Sequence, residues 1–141
     1  VATFMNRPNY RQRWSESFTD PSGAAFASLV RADVVLEGSI FARPVWGQQA
    51  VWTTLRTAAG IYDTLAFISD AERDGRAYLD WTATALGQPV AGVTVLRLDD
   101  SGLFASVAIH HRPLGAVIAF SAEMGRRLVG QVGADHFYQP P

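Results

Sequence analysis

The stretch from Asp63 to Arg112 constrains this chain more than any other part of it. Turn signals divide it at Asp74-Gly75, at Gly87-Gln88-Pro89 and at Asp99-Asp100-Ser101-Gly102. Asp-Gly marks a tight hairpin, because a type I′ turn needs positive φ and glycine supplies it without steric cost. Between the signals lie Arg76–Leu86, Val90–Leu98 and Leu103–Arg112, with Thr64–Ser69 before them. These runs are rich in Val, Ile, Leu, Thr and aromatic residues, which suit a pleated, half-buried surface. The stretch is therefore predicted to be an antiparallel meander of about four strands.

The flanks read as helices around one strand. Val1 to Asn9 lacks periodicity and is expected to be a loose arm. Tyr10, Trp14 and Phe18 then recur on one helical face. Asp20-Pro21 is the expected start of a second short helix, with Phe26, Leu29 and Val30 as its buried stripe. Ala32 to Glu37 reads as a strand and Gly38 to Pro44 as a loop. Gly47 opens a third helix carrying Val51, Leu55, Ala58 and Tyr62, with Gly60 ending it at positive φ. After the meander, Leu114, Val117, Ile118, Ser121, Met124 and Leu128 recur at helical spacing. The short apolar run Gly115–Ser121 would also fit a strand, but the length and the Arg126-Arg127 end favour helix. The tail from Gln131 to Pro141 either folds back on the body or frays. No repeat or linker divides the chain, so residues 1–141 are expected to form a single α+β domain.

Composition excludes several kinds of chemistry. The chain has no cysteine and no lysine; all 12 basic residues are arginine. Thiol nucleophiles, Schiff bases and the phosphate-loop lysine are thereby removed. A net charge of −1 leaves no electrostatic footprint for nucleic acid. No apolar run is long enough to span a bilayer, and the N-terminus has no charged-then-apolar pattern, so a cytoplasmic protein without membrane contact is expected. No dinucleotide, nucleophile-elbow or phosphate-loop motif occurs, and no cofactor is expected. His110-His111 is not a metal site, since neighbours on a strand point to opposite faces and no third ligand is suitably spaced.

The order of elements resembles the nuclear transport factor 2-like superfamily, in particular its SnoaL-like polyketide cyclase branch. The resemblance rests on Ala32-Asp33-Val34-Val35-Leu36-Glu37-Gly38, on Arg43-Pro44-Val45-Trp46-Gly47-Gln48-Gln49-Ala50-Val51, on Val90 to Asp99, and on Arg112-Pro113 after the last strand. It implies a cone: N-terminal helices packed in the concave face of a strongly curved antiparallel sheet, with an apolar cavity at the wide end. Members include cofactor-free isomerases and cyclases as well as non-catalytic binding modules. Their carboxylates do not carry over. The isomerase-type Asp matches Gly38, and the epoxide hydrolase-type Asp-Arg-Asp set matches Ala77, Leu79 and Arg112. Where the cyclases place an acid near the end of the last strand, this chain has His110, His111 and Arg112.

Strict alternation puts Phe104, Ser106, Ala108, His110 and Arg112 on one face of the last strand. The resemblance orients that face, with Trp81 and Thr94, toward the cavity. His110 is then the candidate acid/base, since imidazole titrates near neutrality; the bland reading is a histidine satisfied by a backbone carbonyl or a carboxylate. Arg112 would neutralise a ligand anion or form a structural ion pair. Trp81, Trp46, Phe104 and Thr94 would line a pocket for a small apolar or aromatic molecule, or serve as core. Opposite them, Val93, Val95, Val107 and Ile109 form an apolar face expected to pair two copies as a homodimer. A catalyst and a non-catalytic ligand-binding or dimerisation module both fit.

Overall fold

The structure, a computed structural model, describes residues 9–141; the expected loose arm lies outside the described residues save for Asn9. The elements are α1 (Tyr10–Glu16), α2 (Ala24–Leu29), β1 (Val30–Gly38), β2 (Val45–Trp46), α3 (Gln48–Ala59), β3 (Tyr62–Arg73), β4 (Arg76–Ala85), β5 (Gln88–Leu98), β6 (Phe104–Arg112) and α4 (Leu114–Arg127). A 3₁₀ turn, Ala134–His136, follows in the tail. The strands form one curved, unclosed sheet in the order β2-β1-β6-β5-β4-β3. The meander β3 to β6 is antiparallel, whereas β1 joins β6 in parallel. The cone-like α+β architecture is as expected, and 114–127 is helix.

The sequence explains the layers. Along β4, Ala77, Leu79, Trp81, Ala83 and Ala85 are buried, while Arg76, Tyr78, Thr82 and Thr84 are exposed. Along β5, Val90, Gly92, Thr94 and Leu96 are buried in the same rhythm. Both strands thus turn one face onto the helices. Asp74 and Gly75 close the β3–β4 hairpin at φ 52° and 74°, as the Asp-Gly signal requires. The core joins Trp14 of α1, Phe26 of α2, Val51 and Leu55 of α3, and Phe120 and Met124 of α4 to this inner face. No helix among the described residues is long and apolar enough to cross a membrane.

Three local expectations need correction. Pro21 precedes the second helix rather than starting it; Gly23 caps α2, and Asp20 bonds the Ser22 and Ala25 amides. Gly60 sits at φ −75°, not in the left-handed region. Tyr62 is not on the α3 face but is the first residue of β3.

The largest correction concerns β6. Across β5 and β6, Arg97 faces Ser106 but Leu98 faces Phe104, so β6 carries one extra residue at Ala105. Such a bulge shifts every later side chain to the other face. Phe104 points inward, and after the bulge Val107, Ile109 and His111 point inward while Ser106, Ala108, His110 and Arg112 point out. Val107 and Ile109 therefore do not share a face with Val93 and Val95, and His110 does not share one with Phe104.

Candidate active site around Tyr62 and His111

The helices do not fill the cone. A cavity of about 410 Å³ remains, bounded by Trp14 of α1, Leu55 of α3, Ile40 and Phe41 of the β1–β2 loop, and the inner face of β3 to β6. Asp63, Thr64 and Leu65 line it and are exposed, so they mark its mouth.

At its inner wall Trp81 lies across β5. Gly92, directly opposite on the next strand, makes this possible: a Cβ there would sit 2.5 Å from the indole and 2.4 Å from the His110 carbonyl oxygen. The indole N–H donates to Thr94 Oγ1 at 3.1 Å, so this buried donor is satisfied.

Beside Trp81 stand the cavity's polar groups of chemical interest. The Tyr62 hydroxyl and His111 Nε2 are 2.5 Å apart. Trp81 and Phe120 enclose the pair, with ring centroids 5.0–5.7 Å from Tyr62 or His111. His111 is only 7% exposed. Burial holds its imidazolium down to a pKa of about 4, against an opposing pull from the Ile109 backbone. Burial also raises the Tyr62 phenol well above its ordinary value. Near neutral pH both groups are uncharged and share one proton between oxygen and nitrogen. His111 Nδ1 is buried and has no hydrogen-bond partner. The His111 amide donates to Ser39 Oγ at 2.5 Å, which fixes the backbone beneath the ring.

The sequence-derived candidates fall into two groups. Trp81 and Thr94 line the cavity as expected. Phe104 faces inward but packs into the core against Trp14 and Tyr10, with centroids 6.2 and 6.0 Å away. His110 and Arg112 are exposed on the convex face, and neither reaches the cavity. Trp46 is 66% exposed and pairs with Val35 at the sheet edge, away from the cavity. Tyr62 and His111 were missed, and β6 held a usable signal. From Ser106 on, polar or small residues alternate with Val107 and Ile109, and that amphipathic rhythm places His111 inside. Among the described residues no cluster of three His, Asp or Glu side chains could hold a metal ion.

Several solved structures share this fold. A steroid delta-isomerase from Pseudomonas aeruginosa superposes with a TM-score of 0.75 at 27% identity, over 84% of this chain and 88% of that one. An uncharacterised bacterial protein with a cystatin-like fold from Silicibacter pomeroyi gives 0.77 at 17% identity, over 84% of both chains. A protein of the SnoaL-like family from Agrobacterium tumefaciens gives 0.58 at 12% identity, over 73% of this chain and 94% of that one. The chain has the cystatin-like fold that nuclear transport factor 2-like and SnoaL-like proteins share. No protein-family model matches the sequence, and no curated protein matches it significantly.

Proposed function

We propose that this protein binds a small, flat, uncharged organic molecule in the cone cavity, with the Tyr62–His111 pair as its polar handle. The observation that carries the reading is the neutral pair at 2.5 Å, set in an apolar cavity with a buried, unpartnered Nδ1 beside it. A mostly apolar cleft with a few convergent polar groups is the usual form of a small-molecule site. A charged ligand would lose its hydration there without gaining a counter-ion; the carboxylate in the lining, Asp63, stands at the mouth.

If the site is catalytic, the pair suits cofactor-free acid/base chemistry of the isomerase or cyclase type. Tyr62 Oη would take a proton from the ligand as its own proton passes to His111 Nε2. The imidazolium so formed would return it through the phenol to a different ligand atom, leaving no net change in charge or oxidation state. A His111 pKa of about 4 makes a weak base, and this favours the second reading, ligand binding without turnover. The neutral fluorophore N-phenyl-1-naphthylamine separates binding from its absence. The reading expects saturable binding that quenches Trp81 and weakens about tenfold in Tyr62→Trp, which fills the cavity. No binding, or equal binding by that variant, contradicts it.

We also infer a homodimer through the convex sheet face, with a corrected set of residues. Val93, Val95 and Tyr78 lie on that face, and Trp46 and Val35 continue it at the edge. An exposed tryptophan beside valines is apolar surface of the kind copies cover. Light scattering should give twice the monomer mass, and Val95→Asp should halve it; a wild-type monomer at micromolar concentration refutes the inference.

A further inference from the structure

The cavity wall formed by Ile40 and Phe41 belongs to a loop, yet four consecutive loop residues are tied down. Ser39 accepts the His111 amide, and its own amide donates to the Ile109 carbonyl at 3.1 Å. The Ile40 carbonyl accepts from Ser121 Oγ of α4 at 2.5 Å. The Phe41 ring meets Phe137, centroid to centroid 5.7 Å. The Ala42 amide donates to the His136 carbonyl at 2.7 Å.

The last two ties, and half of the second, lead to the tail. Ser121, itself 3% exposed, also accepts the Tyr138 amide at 2.8 Å, so one buried hydroxyl joins the loop, α4 and the tail. Arg43 and Asp135 form an ion pair at 2.6 Å, and the Arg43 carbonyl meets His136 Nδ1 at 3.2 Å. Phe137 is 2% exposed although its neighbours in the tail are largely in solvent. It beds on Gly125 of α4, where a Cβ would lie 3.3 Å from its own. A glycine inside a helix is unfavourable, and this contact accounts for it.

We propose that residues 135–138 form a strap that sets the position of the Ile40–Phe41 wall and thereby the size of ligand the cavity admits. Phe137 acts as the buckle and Ser121 as the anchor; both are positioning residues and touch no ligand. The strap lies outside the sheet, so losing one of its ties frees the loop while the sheet stays intact. The size-selection part rests on the cavity being a ligand site; the mechanical part does not.

The test compares the full chain with its Phe137→Ala and Ser121→Ala variants. Amide hydrogen exchange reports the strap directly, because the Ala42 amide is bonded to it. Binding of N-phenyl-1-naphthylamine and of the smaller 2-naphthol reports selection by size. The expected result is exchange at Ala42 faster by about tenfold or more, with β4 and β5 unchanged. The affinity ratio should also shift at least about threefold toward the larger probe. Unchanged exchange at Ala42, or faster exchange across the whole sheet, overturns the strap; an unchanged affinity ratio overturns size selection. If the wild type binds neither probe, the ligand-site reading fails and the Ala42 amide alone decides the strap. If Phe137→Ala does not fold, Ser121→Ala, which removes a single hydroxyl, decides on the same readouts.

Discussion

Strands β4 and β6 have similar alternating sequences, but only β4 keeps its phase from end to end. In β4 five alternate residues, Ala77 to Ala85, are buried without a break. In β6 the bulge at Ala105 divides a phase that begins with Phe104 from one that ends with His111. One strand is a ruler; the other contains a step. The step decides which of two adjacent histidines meets the cavity, since His110 is exposed and His111 is 7% exposed. Which histidine faces the cavity hangs on a single inserted residue six positions before His111.

A charge placed on the inward phase of β6 should have the largest effect. Val107 is fully buried after the step, so Val107→Asp would bury an unpaired carboxylate, whereas deleting Ala105 only makes the ladder regular and keeps His111 inward. Losing the burial of an aliphatic side chain and burying a charge costs upward of about 4 kcal/mol. A denaturant melt of Val107→Asp should show loss of the cooperative transition; a stable variant would mean that Val107 does not face inward.

The buried histidine should also couple stability to acid. His111 has its folded pKa lowered to about 4 by burial, below the 6.5 of the unfolded chain. Between those values the unfolded chain binds more protons than the fold. Stability is therefore complete above about pH 6.5 and falls as pH drops toward 4, by on the order of 3 kcal/mol. Glu123, held to about 2 by hydrogen bonds from Arg126 and Arg127, loses its contribution only at lower pH. His111→Phe should flatten the slope between pH 6.5 and 4; an unchanged slope would mean that His111 is not the buried imidazole.

A smaller effect probes β5, the other strand that keeps its phase. Thr94→Val removes the acceptor of the Trp81 indole N–H and leaves a buried donor unpaired. The expected loss is about 1–3 kcal/mol. Arg112→Ala on the convex end of β6 should stay within about 0.5 kcal/mol. Equal losses at the two positions would mean that Thr94 and Arg112 are equally exposed.

The same contrast explains what the sequence makes legible. Turn chemistry and periodicity reveal the meander, the helices and the cone, because Asp74-Gly75 and the buried rhythm of β4 are local signals. Trp81 and Thr94 face the cavity as strict alternation expects, because the β4–β5 register runs unbroken. His110 was misplaced because a bulge adds a residue without a composition of its own; Ala105 is an unremarkable strand residue. Tyr62 was misread for a related reason. It follows α3 at helical spacing from Ala58, yet Gly60 breaks the helix and the chain enters β3 at Tyr62. The cavity pair thus joins two residues 49 positions apart, each put in phase by an irregularity that periodicity cannot register.

A Tyr62–His111 site requires His111, not His110, to meet the cavity beside Tyr62. The direct measurement is a nitrogen–proton NMR spectrum of the histidine rings during titration with N-phenyl-1-naphthylamine. The His111 ring nitrogens should shift in a saturable way with the probe, and both shifts should disappear in Tyr62→Trp, while the His110 signals stay in place. A probe-dependent shift of His110 with His111 unmoved would contradict the account.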